Sequence, residues 1–103
     1  DPGRLAVGGD SAGGNLATVV SLNARDCGSP KLALQVLIYP CTDMVLERPS
    51  HYRHALQLPL TRACMQWFVR HYLRDAADEA DWRASPLLLV ASRSPLPSRT
   101  ISV

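Results

Sequence analysis

Among the serines of this chain, Ser11 stands in surroundings that equip it for chemistry: Gly9-Asp10-Ser11-Ala12-Gly13, followed at once by Gly14-Asn15. The apolar run Leu5-Ala6-Val7-Gly8 precedes it and the helix-compatible stretch Leu16 to Ala24 follows. A serine with glycine two residues before and two after, set between a strand and a helix, has the G-x-S-x-G pattern of a nucleophile elbow. Such a turn is so tight that its serine takes a strained backbone conformation, and a Cβ at Gly9 or Gly13 is expected to clash across it. The strain would lift the Ser11 hydroxyl clear of the sheet. The backbone N–H of Ala12 would open the helix and point at a developing oxyanion. The chemistry implied is acyl transfer, with Ser11 attacking a carbonyl once a base takes its proton. No lysine follows the glycines, as a phosphate-cradling loop requires, and the G-x-G-x-x-G spacing of a dinucleotide site is absent. The plain alternative is a glycine-rich turn with an incidental serine, against which the strand-turn-helix context argues.

The flanking pattern predicts the elements that position this serine. Arg4 to Gly8 reads as a short buried strand and Ala12 to about Arg25 as a helix. Ala12, Leu16, Val19, Val20 and Asn23 fall on one helical face, which is expected to lie on the sheet. Gly28 suits the left-handed position after a helix, and Pro30 blocks its resumption. Leu32 to Tyr39 is apolar apart from Gln35, as in a strand covered on both faces by helices. Strand, helix and strand make one parallel βαβ unit, an α/β class of fold. Thr42 to Pro59 is irregular. Thr61 can cap a helix from Arg62 to about Leu73. Its Cys64, Trp67, Phe68 and Tyr72, widened by Met65 and Val69, form a stripe that predicts Trp67 and Phe68 in the helix core rather than against a substrate. Asp75 to Glu79 reads as a solvated acidic loop. Val90 to Val103, rich in Ser, Pro and Arg, shows no clear periodicity.

The stretch Asp1 to Ala17 closely resembles the hormone-sensitive-lipase-like branch of the α/β-hydrolases, the family IV carboxylesterases and lipases. The likeness continues through Leu34-Gln35-Val36-Leu37-Ile38-Tyr39-Pro40-Cys41-Thr42-Asp43, and again at Trp67-Phe68, His71-Tyr72-Leu73 and Arg83-Ala84-Ser85-Pro86-Leu87. One departure is Trp82, where the family usually has proline. The resemblance implies a partial α/β-hydrolase fold: residues 1–41 as core, 42–80 as a cap-type helical insertion, and 81–103 as a return segment with an atypical tail. It implies Ser11 as nucleophile, Ala12 N–H as oxyanion donor, Gly9, Asp10 and Gly13 as the elbow, a small-molecule ester as substrate, and neither cofactor nor metal. Asp10 is expected to be structural, hydrogen-bonding within the loop. The likeness is expected to stop near Leu88, and the abrupt change of composition there suggests a shifted reading frame or an abnormal terminus.

At 103 residues and 11.3 kDa the chain is at most one small domain. A doubly wound hydrolase sheet normally needs well over ~200 residues, so a fragment is expected. Hydrophobic residues at 47% suit a globular core. The net charge of +2 is scattered, unlike the concentrated patch of a nucleic-acid surface. No apolar run approaches the ~18 residues of a membrane span. Cys27, Cys41 and Cys64 lack C-x-x-C spacing and read as free thiols of a reducing, cytoplasmic compartment.

Acyl transfer also needs a histidine and an orienting acid, and the resemblance places both on loops beyond Leu88. No acidic residue follows Asp81, no histidine follows His71, and the family's upstream His-Gly-Gly-Gly segment is absent. Neither the catalytic acid nor the histidine is therefore expected in this chain. An internal set from Asp43 with His51, His54 or His71 has the permitted order, but spacing alone does not establish convergence. Asp43 reads better as part of the loop signature and the histidines as cap or surface residues. The expectation is a serine carboxylic-ester hydrolase fragment, inactive as isolated; the alternative is a non-catalytic remnant whose elbow survives as scaffold.

Overall fold

The computed structural model describes residues 1–56, 59–90 and 99–103. Strand β1 (Leu5–Asp10) runs directly into helix α1 (Ser11–Cys27), which returns to strand β2 (Leu32–Ile38). The two strands pair in parallel, with Val7 opposite Gln35, Gly9 opposite Leu37 and Asp10 opposite Ile38. The expected βαβ unit is present. Gly28 ends α1 at φ 73° and donates its N–H to the Arg25 carbonyl, the left-handed stop that a residue without Cβ adopts cheaply.

The rotation of α1 differs from the expected one. Its buried face is Gly14, Asn15, Ala17, Thr18, Ser21, Leu22 and Ala24. Leu16 and Val20 are about half exposed. The helix starts from the elbow, and the elbow fixes its phase before apolarity can. Small side chains then let the helix axis come close to the sheet. Thr18 and Ser21 donate their hydroxyls back to the Gly14 and Ala17 carbonyls, which makes their burial tolerable.

Side chains alternate across a strand, and α1 covers only the face bearing Val7, Gly9, Gln35 and Leu37. On the other face Ile38 is exposed and Val36 half-buried, so cover on both sides of β2 is not found among the described residues. Gln35 is fully buried, and among the described residues neither amide atom has a hydrogen-bond partner.

After β2 come α2 (Pro49–Arg53), α3 (Arg62–Tyr72), a 3-10 helix (Ala76–Ala80), α4 (Leu87–Val90) and strand β3 (Thr100–Ser102). The Thr61 hydroxyl accepts from the Cys64 N–H at 3.2 Å, the expected cap. The acidic loop is corrected to that 3-10 helix, because Asp75 accepts from the N–H groups of Ala77 and Asp78 and so starts a turn. A second small core joins Met44, Leu46, Val69 and Ala84. Only Val69 of α3 is buried, while Trp67 and Phe68 are about half exposed. Their expected place in the helix core is therefore wrong: the stripe is wider than the single surface available to cover it. In the last segment, β3 pairs parallel with β2, Val36 opposite Ile101. A strand thus stands where no periodicity was readable; residues 91–98 of that tail lie outside the described residues. Among the described residues no helix is long and apolar enough to cross a membrane.

Candidate active site

Ser11 opens α1 at φ 49°, the left-handed region that L residues other than glycine rarely occupy. The strain is possible because of Gly9. A Cβ there would lie 2.4 Å from the Gly13 carbonyl carbon and 2.5 Å from its oxygen, closer than any real contact. The expected clash at Gly13 does not occur: a Cβ at that position would meet only Asp10 Oδ1, at 3.9 Å. The tight approach is one-sided, with Gly9 supplying the missing side chain and Gly13 only backbone. Asp10 is exposed and sits at the N-cap without a side-chain capping bond, so the loop hydrogen bonding expected of it is not found among the described residues. Ala12 is exposed in the first turn, where helix N–H groups have no intrahelical acceptor.

The end of β2 completes the turn, through residues that motif spacing alone does not single out. Tyr39 is also left-handed, at φ 36°, and it turns Pro40 onto the elbow. A Cβ at Gly14 would stand 2.8 Å from Pro40 Cβ and 3.1 Å from the Gly9 carbonyl oxygen. Cys41 N–H donates to the Ser11 carbonyl at 3.1 Å. Asn15, one helical turn past Ser11, donates both amide hydrogens, to the Cys41 carbonyl at 2.6 Å and the Ala84 carbonyl at 2.7 Å. Three segments remote in sequence are thereby joined beneath the serine. In the sequence, Asn15 stands out only as a polar residue directly after the elbow glycines.

Ser11 and Ala12 line a pocket of about 500 Å³. Its walls are mostly carbon, from Leu16, Met44, Leu60, Met65, Phe68 and Val69, with His71 and Tyr72 at the α3 side. Phe68, expected in a helix core, instead faces this space. Cys41 lies alongside; burial pushes its thiol pKa up, so the neutral thiol is favoured.

The internal acid–histidine set does not assemble. Asp43 accepts from the Val45 N–H at 2.9 Å and from Arg48 Nη2 at 2.5 Å, with no hydrogen bond to a histidine. Burial alone would raise its pKa, but the bonds from Arg48 and Val45 outweigh that and hold it below the usual carboxylate value. Of His51, His54 and His71, only His71 shares the pocket with Ser11, and its Nδ1 lies 2.8 Å from the Trp67 carbonyl oxygen. Cys27, Cys41 and Cys64 are free thiols.

Comparison with known proteins accords with this geometry. Residues 1–103 match a family defined by the alpha/beta hydrolase fold. The carboxylic ester hydrolase LipN of Mycobacterium tuberculosis is 49% identical over 92 residues, covering 84% of this chain and 24% of that protein. The ethyl acetate hydrolase of Pseudomonas putida is 44% identical over 98 residues, covering 91% of this chain and 30% of its own length. A hyperthermophilic esterase from Pyrobaculum calidifontis superposes with a TM-score of 0.88 at 38% identity, covering 99% of this chain and 33% of that structure. The likeness therefore does not stop at Leu88. The chain spans about a quarter to a third of these relatives' length.

Proposed function

Because this chain belongs to the alpha/beta hydrolase fold family over residues 1–103, we propose that it is the nucleophile-bearing part of a serine carboxylic-ester hydrolase. Ser11 attacks the ester carbonyl, and the oxyanion is held by the Ala12 N–H at the start of α1. The alcohol leaves, and water hydrolyses the acyl-enzyme with release of the acid. The observation that carries this reading is the left-handed Ser11 at a strand-to-helix junction, opening on an apolar pocket. The substrate is a small ester of short to medium acyl chain. Names of the relatives, among them an ethyl acetate hydrolase, support that class.

In this reading the general base and its orienting acid come from outside the 103 residues, as does the glycine-rich loop that supplies further oxyanion donors. Residues 42–80 act as a cap over the site, since Leu60, Met65 and Phe68 wall the pocket from that segment. The mechanism needs no cofactor and no metal. Its free thiols suit the cytoplasm. The isolated 103-residue chain turns over ester negligibly, because Ser11 lacks an activating partner.

The test is covalent labelling of Ser11 by a fluorophosphonate in the full-length protein, paired with ester hydrolysis by Ser11→Ala. Labelling of the wild type alone, with hydrolysis reduced to background in the variant, is expected. A full-length protein that does not label, and keeps its esterase activity without the Ser11 hydroxyl, removes the reading.

A further inference from the structure

The pocket in front of Ser11 has a mostly carbon wall, and His71 is among the polar residues that line it. Asn15 has both amide hydrogens engaged by the Cys41 and Ala84 carbonyls. The Cys41 sulfur is turned toward the Asp43 carbonyl and the Met44 sulfur, at 3.9 and 4.0 Å. His71 is different. Its Nδ1 lies 2.8 Å from the Trp67 carbonyl oxygen, one helical turn earlier on α3. A carbonyl oxygen only accepts, so Nδ1 carries the proton and Nε2 of the neutral ring keeps its lone pair. The imidazole is also stacked on the Trp67 ring, with centroids 4.0 Å apart and planes 29° from parallel. One bond and one stack together fix the tautomer and the ring plane.

We propose that His71 is a specificity-determining residue: its Nε2 accepts a hydrogen bond from a hydroxyl or N–H on the chain of the ester that fills this pocket. The proposal rests on the esterase reading above and names a substrate class within it, esters whose acyl or alcohol chain carries a hydrogen-bond donor. An alkyl chain that covers Nε2 leaves a desolvated acceptor without a partner, whereas a donor-bearing chain satisfies it. Sites built this way discriminate against the analogue lacking the donor. Tyr72 shares the same wall, and its phenol is retained in the variants that test His71.

The experiment compares, in the full-length protein, kcat/KM for paired esters that differ only by a terminal hydroxyl in place of a methyl group. The pair is varied once in the acyl chain and once in the alcohol. Wild type, His71→Phe and His71→Gln are assayed. Phenylalanine keeps a ring to stack on Trp67 but removes the acceptor, and glutamine restores an acceptor without the ring. On one of the two sides, the hydroxyl-to-methyl ratio should fall about tenfold in His71→Phe and return at least halfway in His71→Gln. Equal ratios in all three proteins on both sides overturn the proposal. So does an equal fall in both variants, which would assign the effect to ring shape. Hydrolysis of the methyl-ended ester by wild type keeps these outcomes separate from failure of the esterase reading: if no ester is hydrolysed, that reading falls and this one with it.

Discussion

Asn15 and Gln35 are both amides shut away from water, 2% and 0% exposed, and the molecule uses them in opposite ways. Asn15 lies at the site end of the sheet and donates to two backbone carbonyls from segments 26 and 69 residues away. Gln35 lies mid-strand beneath α1, and its amide pairs with nothing among the described residues. The site end is held by directional bonds that no apolar side chain could replace. The middle of the sheet needs only volume there. Buried polarity marks construction at one place and a penalty at the other.

The sharpest way to break this contrast is steric. Gly9→Ala places a carbon 2.4 Å from the Gly13 backbone, where the flanking strand and helix leave no room to yield. Its destabilisation should exceed the roughly 1–3 kcal/mol of ordinary overpacking, and Ser11 labelling should vanish. Gly13→Ala, with only the Asp10 carboxylate at 3.9 Å, should change stability by less than about 1 kcal/mol. Urea unfolding of both variants checks this, and equal losses would refute the one-sided elbow. Asn15→Leu comes next. It removes two hydrogen bonds and strands the Cys41 and Ala84 carbonyls, each worth about 1–3 kcal/mol when left unsatisfied. A loss of roughly 2–5 kcal/mol is expected, with Ser11 reactivity falling in parallel. Unchanged reactivity in a destabilised variant would separate Asn15 from the site.

These residues also show where sequence was a good guide and where it was not. The elbow was legible because its glycine spacing reports a backbone demand, and the Thr61 cap and the Gly28 stop are local for the same reason. The phase of α1 was not legible. Apolarity put Leu16 and Val20 on the sheet, but the turn at Ser11 had already fixed which face it meets, and that face is small and polar. Trp67 and Phe68 were misplaced because a stripe says a surface will be covered without saying by what. Gly14, Asn15 and Pro40 act through contacts between distant segments, so spacing along one helix could not reveal them. Thr100–Ser102 is too short to show a period, and its partner strand lies more than sixty residues earlier.

The other half of the contrast predicts a gain. Gln35→Met conserves length and removes the unpaired amide, so the folded protein should be stabilised by about 1–2 kcal/mol, the low end of the desolvation penalty for an unsatisfied buried group. The urea midpoint should rise at unchanged slope. A fall of similar size would mean that the amide is paired in solution, and the distinction between Asn15 and Gln35 would collapse.

The smallest effect expected lies in the turn that presents Ala84 to Asn15. Asp81 accepts from Arg83 through both its side chain and its backbone N–H, while the Asp81 carbonyl takes the N–H groups of Ala84 and Ser85. The Arg83 guanidinium, foremost, pulls the Asp81 pKa down to about 2, from an unfolded value near ~3.9. A carboxyl with a depressed folded pKa contributes stability that is fully present above the unfolded pKa and is lost as pH falls through the folded one. The window is therefore roughly pH 4 to 2, and above it Asp81 adds no pH dependence. Unfolding midpoints taken across that window should fall less steeply for Asp81→Asn than for wild type, because the variant has no charge left to lose. Arg83→Gln should flatten the curve in the same way while leaving Asp81 ionisable. If the three curves run parallel from pH 4 to 2, the pair does not hold the turn, and the Ala84 carbonyl owes its place to Asn15 alone.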